Sequence, residues 1–194
     1  METLIDRREA IRKTAMMLGV AVCSSALMSI LESCRNTPAL NYKPVFFTED
    51  QALLISQAAE IIIPRTDTPG ATDVGVSQFI DLLVKNCYKE EDQKLFLDGM
   101  KEFDEMAIRA FGDRFVEGSP EEQVKYLKQV HDDAVNAEKA KPSTPRPFIL
   151  KLKQLTMFAF FTSEPGATKV LQYNQVPGAY HGCVPLSEAG KTWA

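Results

Sequence analysis

The chain has 194 residues, of which 45% are hydrophobic and 25% charged, and its formal net charge is −4. This length suits one folded domain plus a targeting segment, and the composition excludes a mainly disordered protein. The mildly acidic balance argues against a nucleic-acid partner, because proteins that bind nucleic acid need a basic face.

The N-terminus has the pattern of an export signal. Arg7 and Arg8, followed by an aliphatic residue and a further arginine, precede an uncharged run over residues 14–31. A basic segment before an apolar run predicts a signal peptide. The arginine pair resembles the twin-arginine motif, whose export machinery carries folded cargo. We therefore predict a signal segment over residues 1–33, with an uncleaved membrane anchor as the alternative, since the run is long enough to span a bilayer.

A candidate lipid-attachment site follows the apolar run. Leu31 lies three residues before Cys34, and the small Ser33 directly precedes it, which resembles a lipoprotein cleavage box. Under this interpretation Cys34 carries the lipid and residues 34–45 form a tether. The protein would then lie on the periplasmic side of the cell envelope, anchored in the membrane. An unmodified thiol at Cys34 is the alternative.

The rest of the chain, residues 46–194, predicts a small all-α domain of about five helices with long irregular segments rich in proline and glycine. Thr48 and Gln51 form a capping box that starts a helix ending near Ile63, because Pro64 stops it. The spacing of apolar residues predicts four further helices, over 77–88, 91–111, 119–139 and 147–162. The last helix is apolar on nearly all sides, so we expect it at the centre of the core or buried against a partner.

Two segments are predicted to be irregular. Residues 64–75 are dense in turn-forming residues, and their aspartates are more typical of caps and turns than of a calcium site. From residue 163 the helical period is lost, apart from a single turn predicted at 167–171. This second segment is rich in glycine, proline and tyrosine, so it packs on its own helices or on another chain, and both alternatives stay open.

The sequence carries few signals of chemistry. It contains no dinucleotide fingerprint, P-loop, zinc-protease helix or serine-hydrolase elbow, so we predict no catalytic, cofactor-binding or metal-binding residues in this chain. His131 is interpreted as a surface or core histidine. His181 beside Cys183 forms an alternative nucleophile pair that lacks an orienting third group. Cys87 and Cys183 are better candidates for a disulfide, with each other or with a partner chain.

Three sequence segments are similar to those of a known family. The first is Pro64-Arg65-Thr66-Asp67-Thr68-Pro69-Gly70, and the second is Phe161-Thr162-Ser163-Glu164-Pro165-Gly166. The third holds Tyr173, Val176-Pro177-Gly178, Tyr180 and Gly182-Cys183. Together they resemble the gluconate 2-dehydrogenase subunit 3 family, from about Phe46 to the C-terminus.

The resemblance implies a non-catalytic accessory subunit that binds, stabilises and co-exports a large dehydrogenase of the glucose–methanol–choline type. That larger subunit would hold FAD and oxidise a sugar, a sugar acid or a glycoside, while this chain holds no cofactor. Electrons would then pass to a cytochrome c subunit or to another acceptor. The alternatives are a stand-alone exported helical lipoprotein, acting as a ligand-binding or scaffold module, and a small enzyme that uses His181 and Cys183.

The resemblance also makes the two irregular segments candidates for contact with the partner. The candidate interface residues are Arg65, Thr66, Asp67, Pro69, Gly70, Tyr173, Pro177, Gly178 and Tyr180.

Overall fold

The computed structural model describes residues 40–142, 145–176, 178–179 and 182–193. This part of the chain is helical and has no strands, which confirms the predicted all-α class. Five helices are substantial: α1 Glu49–Ile62, α2 Val76–Cys87, α3 Glu90–Phe111, α4 Pro120–Ala140 and α5 Phe148–Phe161. Shorter helical turns lie at Phe115–Glu117, at Gly166–Val170 and at Leu186–Ala189, which is α6.

Two of the helices begin with the capping boxes that the sequence predicts. The Thr48 hydroxyl accepts a hydrogen bond from the Gln51 N–H at 3.3 Å, and the Gln51 side chain accepts from the Thr48 N–H at 3.0 Å. Ser119 and Glu122 make the same pair of bonds at the start of α4, at 3.4 and 2.9 Å. These motifs fix the helix starts locally, so the predicted bounds agree closely with the observed ones.

Several short elements differ from the prediction. The turn predicted at 167–171 is a π-helical turn over Gly166–Val170, and α6 was not predicted. The 3-10 turn Phe115–Glu117 was not predicted either. It depends on tertiary contacts, because Asp104 on α3 accepts hydrogen bonds from the Phe115 N–H at 2.8 Å and from the Arg114 side chain at 2.9 Å.

Helix α5 occupies the centre of the domain, as its apolar sequence predicts. It packs against α1, α2, α3 and α4, and also against the Gly166–Val170 turn. Its inner face buries Ile149, Leu150, Leu152, Thr156, Ala159 and Phe160. The helix is not buried on all sides, however, since Gln154, Met157, Phe158 and Phe161 are exposed. In the described part of the chain, no helix combines the length and the hydropathy that a membrane crossing requires.

An aromatic cluster joins α3, α4, α5 and the 3-10 turn. The Phe103 ring lies 5.1 Å from Phe115, 5.0 Å from Tyr126 and 5.7 Å from Phe148, measured between centroids. The buried Tyr126 hydroxyl donates a hydrogen bond to the Phe103 carbonyl at 2.6 Å. This bond satisfies the polar end of a large side chain inside the core, so the cluster gains apolar burial without an unpaired hydroxyl.

The segment that leads into α1 is fastened to α2 by Asp81, and we call its bonds to residues 45–47 the strap. This carboxylate is 1% exposed and accepts three backbone hydrogen bonds, from Val45 at 2.7 Å, Phe46 at 3.0 Å and Phe47 at 2.9 Å. Hydrogen bonds to an ionised acceptor are the strong kind, and here they compensate for burying the charge. The folded domain therefore holds the chain firmly at the point where the predicted tether ends.

Candidate functional site

The loop over residues 64–75, between α1 and α2, is fastened near both of its ends by Glu60. Glu60 lies in the last turn of α1, and its Oε1 accepts a hydrogen bond from the Arg65 N–H at 3.0 Å. Its Oε2 accepts from the N–H and the hydroxyl of Thr72, at 2.8 and 2.6 Å. The Ala71 N–H also donates to the Ile63 carbonyl at 2.9 Å. The conformation of the loop is therefore set by the helix from which it starts.

Gly70 fits this arrangement because it has no side chain. A Cβ at this position would overlap the Glu60 carboxylate and lie 2.7 Å from the Arg65 backbone nitrogen. The Gly70 N–H donates to Asp73 Oδ2 at 2.8 Å, so its own backbone is part of the network. The glycine of the Pro-Gly pair is thus required by close packing inside the loop.

Arg65 and Asp73 form an ion pair across the loop. The Arg65 Nε donates to Asp73 Oδ2 at 2.6 Å, and a second guanidinium nitrogen contacts the other carboxylate oxygen. The Arg65 side chain nevertheless stays 68% exposed. An ion pair this accessible contributes little to stability, so its main effect is to orient the guanidinium towards solvent.

The tip of the loop is also internally bonded. The Thr66 hydroxyl donates to the Asp67 carboxylate at 3.0 Å, and the Thr66 N–H donates to the Thr68 carbonyl at 3.0 Å. Arg65, Thr66 and Asp67 are all exposed. The tip therefore displays a guanidinium, a hydroxyl and a carboxylate in a preset geometry, which is the chemistry of polar recognition.

A second sequence motif packs beside this loop. Ser163 donates its hydroxyl to the Phe160 carbonyl at 2.6 Å and accepts from the Gly166 N–H at 3.1 Å. Gly166 is buried, and a Cβ there would overlap the Phe160 carbonyl. These contacts start the π-helical turn directly after α5, an element that is frequent at functional sites.

The loop and the π-helical turn together line an open depression of about 480 Å³. Its walls carry both charged residues and prolines. They come from two motifs that lie about a hundred residues apart in the chain. The lining residues are Arg65, Thr66, Asp67, Thr68, Pro69, Asp73, Val74, Pro165 and Lys169. Four of the five loop residues predicted for the interface thus line this depression, and the fifth, Gly70, shapes the loop behind it.

The C-terminal candidates lie elsewhere. Tyr173 is 56% exposed, and neither Tyr173 nor Gly178 lines the depression. Gln172 joins the start of this segment to residues 191 and 192. Its N–H donates to the Thr192 carbonyl at 2.8 Å, and its side chain accepts from the Lys191 N–H at 3.2 Å. Pro177 and Tyr180 fall outside the described residues, so their predicted role in the interface stays a prediction.

The remaining candidate residues are the cysteines, the export arginines and His181. Cys87 and Cys183 are free and exposed in the structure, so a disulfide of either kind stays a prediction. The export residues Arg7 and Arg8, the lipidation candidate Cys34 and the histidine His181 all lie outside the described residues. The structure also gives no group of three metal-ligating side chains within its described ranges.

His131 is a half-buried histidine with two polar neighbours. Its Nδ1 lies 3.1 Å from the Asp132 carboxylate, and its Nε2 lies 2.9 Å from the Lys153 ammonium. An ammonium has only donors, so this geometry suits the tautomer in which Nε2 accepts from Lys153 and Nδ1 donates to Asp132. Sequence reasoning placed His131 on the surface or in the core but missed the contact with Asp132, because neighbouring positions on a helix usually point apart.

The comparisons with known proteins identify one family. Residues 49–178 match the family model described as gluconate 2-dehydrogenase subunit 3. No curated protein and no solved structure matches the chain. The matched range contains α1 to α5, the loop over residues 64–75 and the Gly166–Val170 turn, and therefore the whole depression.

Proposed function

The chain belongs to the gluconate 2-dehydrogenase subunit 3 family, and from this membership we propose that it is a non-catalytic accessory subunit. Its role would be to bind, stabilise and co-export the larger dehydrogenase of the complex. The family is one subunit of a dehydrogenase, so a larger partner is implied. The enzyme that it serves would oxidise a sugar, a sugar acid or a glycoside.

The observation that carries this proposal is the rigid, exposed loop over residues 64–75, which lies inside the matched range. Its backbone bonds to Glu60 and Asp73 fix the loop before any partner arrives. A surface that is ordered in advance loses little conformational entropy on binding, so such a loop suits recognition of another protein. Arg65 and Asp67 would supply the polar contacts.

FAD is expected in the larger subunit, of the glucose–methanol–choline type, and not in this chain. The sequence has no glycine-rich dinucleotide fingerprint, which such a cofactor site would need. A cytochrome c subunit or another acceptor would then take the electrons. The depression beside the loop is open and lined by mixed charges, features that suit a protein contact better than an enclosed cofactor site.

Export by the twin-arginine machinery would explain why the signal belongs to the accessory subunit. That route carries folded cargo, so a flavoprotein could bind its cofactor, dock on this chain and leave the cytoplasm with it. Cys34 would then anchor the complex in the membrane by lipid. The strap made by Asp81 supports this arrangement, because it joins the end of the tether to the folded domain.

The proposal is tested by following the larger subunit during export. We expect the dehydrogenase to reach the periplasm when it is expressed with this chain, and to stay in the cytoplasm with Arg7→Lys and Arg8→Lys introduced together. Fractionation and dehydrogenase activity report the outcome. A larger subunit that is exported equally well without this chain would contradict co-export. The mass of the mature N-terminal peptide shows whether the signal is cleaved before Cys34 and whether Cys34 carries lipid.

A further inference from the structure

The outer faces of α2 and α5 together expose an apolar surface. Phe79 and Leu82 on α2 are 38% and 43% exposed, while Met157, Phe158 and Phe161 on α5 are 42%, 51% and 37% exposed. The rings of Phe79 and Phe158 meet across the two helices, with their centroids 5.8 Å apart. We call these five residues the aromatic patch. They form one surface, because the two helices pack directly against each other.

The core of the domain does not require the patch. Helix α2 already buries Ile80 and Val84 on its inner side, and α5 buries Leu152 and Ala159. The patch residues recur three and four positions apart on the opposite sides, so each helix has a second apolar face that no part of the described chain covers. Aromatic and methionine side chains clustered in this way mark a contact surface.

Few of the exposed residues on the two helices of the patch are charged. Lys85 is the single charged residue in the exposed positions of α2 and α5, both of which are fully described, while Lys151 and Lys153 on α5 are half-buried. Charged residues instead make up most of the exposed positions of α3, from Glu90 and Glu91 in its first turn to Arg109 in its last. Loss of charge together with enrichment in Phe and Met distinguishes the centre of a protein interface from ordinary surface.

The patch is continuous along the chain with the depression described above. The loop over residues 64–75 runs into the first turn of α2, where the Phe79 N–H donates to the Gly75 carbonyl at 3.0 Å. Phe161 ends α5, and residues 162–165 connect it to the Gly166–Val170 turn. Both walls of the depression therefore lead into the two helices that carry the patch, and all of these residues lie in the matched range.

We propose that the aromatic patch is the apolar centre of the surface that docks the larger dehydrogenase subunit, with the loop over residues 64–75 as its polar rim. This inference rests on the proposed function. The burial of Phe79, Phe158 and Phe161 would supply most of the affinity, and Arg65 and Asp67 would fix the orientation. A protein partner fits better than a membrane surface, because the matched family is one subunit of an enzyme complex.

Methionine oxidation gives a direct test on the wild-type complex. Met157 in the patch and Met106 on α3 are almost equally exposed, at 42% and 41%, so Met106 is a matched internal control. Hydroxyl radicals would be applied to the free chain and to its complex with the co-expressed larger subunit. We expect docking to lower the oxidation of Met157 roughly fivefold and to leave Met106 unchanged, since sulfoxide formation follows exposure. Equal oxidation of Met157 in both states would overturn the proposal.

Substitution gives a second test with its own control. The double change Phe79→Ser and Phe158→Ser should lower the affinity for the larger subunit roughly tenfold or more. The matched change Leu95→Ser and Val124→Ser, at exposed apolar residues on α3 and α4, should leave that affinity unchanged. Helical content and melting temperature are measured for both variants, and the oxidation experiment decides the question without any variant.

The outcomes of these experiments distinguish failure of the proposed function from failure of the patch proposal alone. If the wild-type chain retrieves no larger dehydrogenase, the proposed function fails and the patch proposal falls with it. If the wild type and the Phe79→Ser, Phe158→Ser variant retrieve it equally, the proposed function stands and only the patch proposal is overturned. In that case, if the variant loses binding to phosphatidylglycerol vesicles, the patch is assigned to the membrane. If the variant loses self-association, the patch is assigned to contact with a second copy of the chain.

Discussion

Glu60 and Gly70 are in direct contact: the carboxylate of Glu60 occupies the space that a side chain on residue 70 would need. The same carboxylate binds the backbone of Arg65 and Thr72. One acidic residue at the end of α1 thus determines the shape of the loop, and the absence of a side chain at Gly70 makes the contact possible. The exposed tip at residues 65–67 depends on this support from Glu60.

We expect Gly70→Ala to lower the free energy of unfolding by about 1–3 kcal/mol, because the new methyl group must displace Glu60. Urea unfolding measures the loss. The double variant Glu60→Ala, Gly70→Ala provides the control, since removing the carboxylate relieves the closer of the two overlaps and leaves only the contact with the Arg65 backbone nitrogen. Its loss should be smaller than the two single losses added together. Additive losses would show that the two residues do not compete for this space.

We expect Asp81→Asn to lower the free energy of unfolding by about 2 kcal/mol, because an amide presents one oxygen where the carboxylate presents two, both of which accept backbone bonds. Residues 45–47 should also become more accessible to proteases. The matched change Asp98→Asn, at an exposed position of α3, should alter stability by less than about 0.5 kcal/mol. Equal effects of the two changes would mean that the strap does not stabilise the domain.

Tyr126 gives the domain an alkaline pH dependence. Burial, with smaller effects of the Asp104 and Glu102 charges, raises the pKa of Tyr126 above its ordinary value of 10.0. Because the folded pKa lies above the unfolded one, this contribution to stability is fully present below about pH 10 and declines as the pH rises further. Tyr126→Phe should therefore reduce the decline in the free energy of unfolding above pH 10. At neutral pH the same change should lower the free energy of unfolding by about 1 kcal/mol, because the hydrogen bond to the Phe103 carbonyl is lost. Parallel stability curves for the two proteins at alkaline pH would be inconsistent with this assignment.

We expect Arg65→Ala combined with Asp67→Ala to weaken binding of the larger subunit roughly tenfold while changing the free energy of unfolding by less than about 1 kcal/mol. Both side chains are exposed, so their removal leaves the core intact. Lys94→Ala combined with Asp98→Ala on α3 removes the same two charge types from another exposed surface. Titration of each purified variant with the larger subunit reports the affinities. Equal binding by both double variants would remove the loop from the interface.

The sequence predicts those parts of the fold that are determined locally. The Thr48 and Ser119 caps and the apolar spacing of the helices depend on residues within a few positions of one another, so their bounds follow from the sequence. The strap of Asp81 to Phe47 and the bond of Asp104 to Phe115 join residues 34 and 11 positions apart. Such contacts exist only once the helices have packed, so no local pattern indicates them.

The candidate site is predictable to a similar degree. Turn-forming residues predict the loop over residues 64–75, and the motif after α5 predicts a turn, but their meeting at one depression depends on how α2 and α5 pack. The apolar sequence of α5 predicts a central helix and leaves open which face would be covered. The exposure of Phe158 and Phe161 becomes visible only in the folded domain.

The most direct test of the accessory-subunit account is to isolate the tagged chain from its native membranes in mild detergent, then identify its partners by mass spectrometry and record a flavin absorbance spectrum. The account predicts a stoichiometric larger dehydrogenase subunit with bound flavin, in a complex that retains activity. A colourless monomer without that partner would contradict the account and would favour a stand-alone exported lipoprotein.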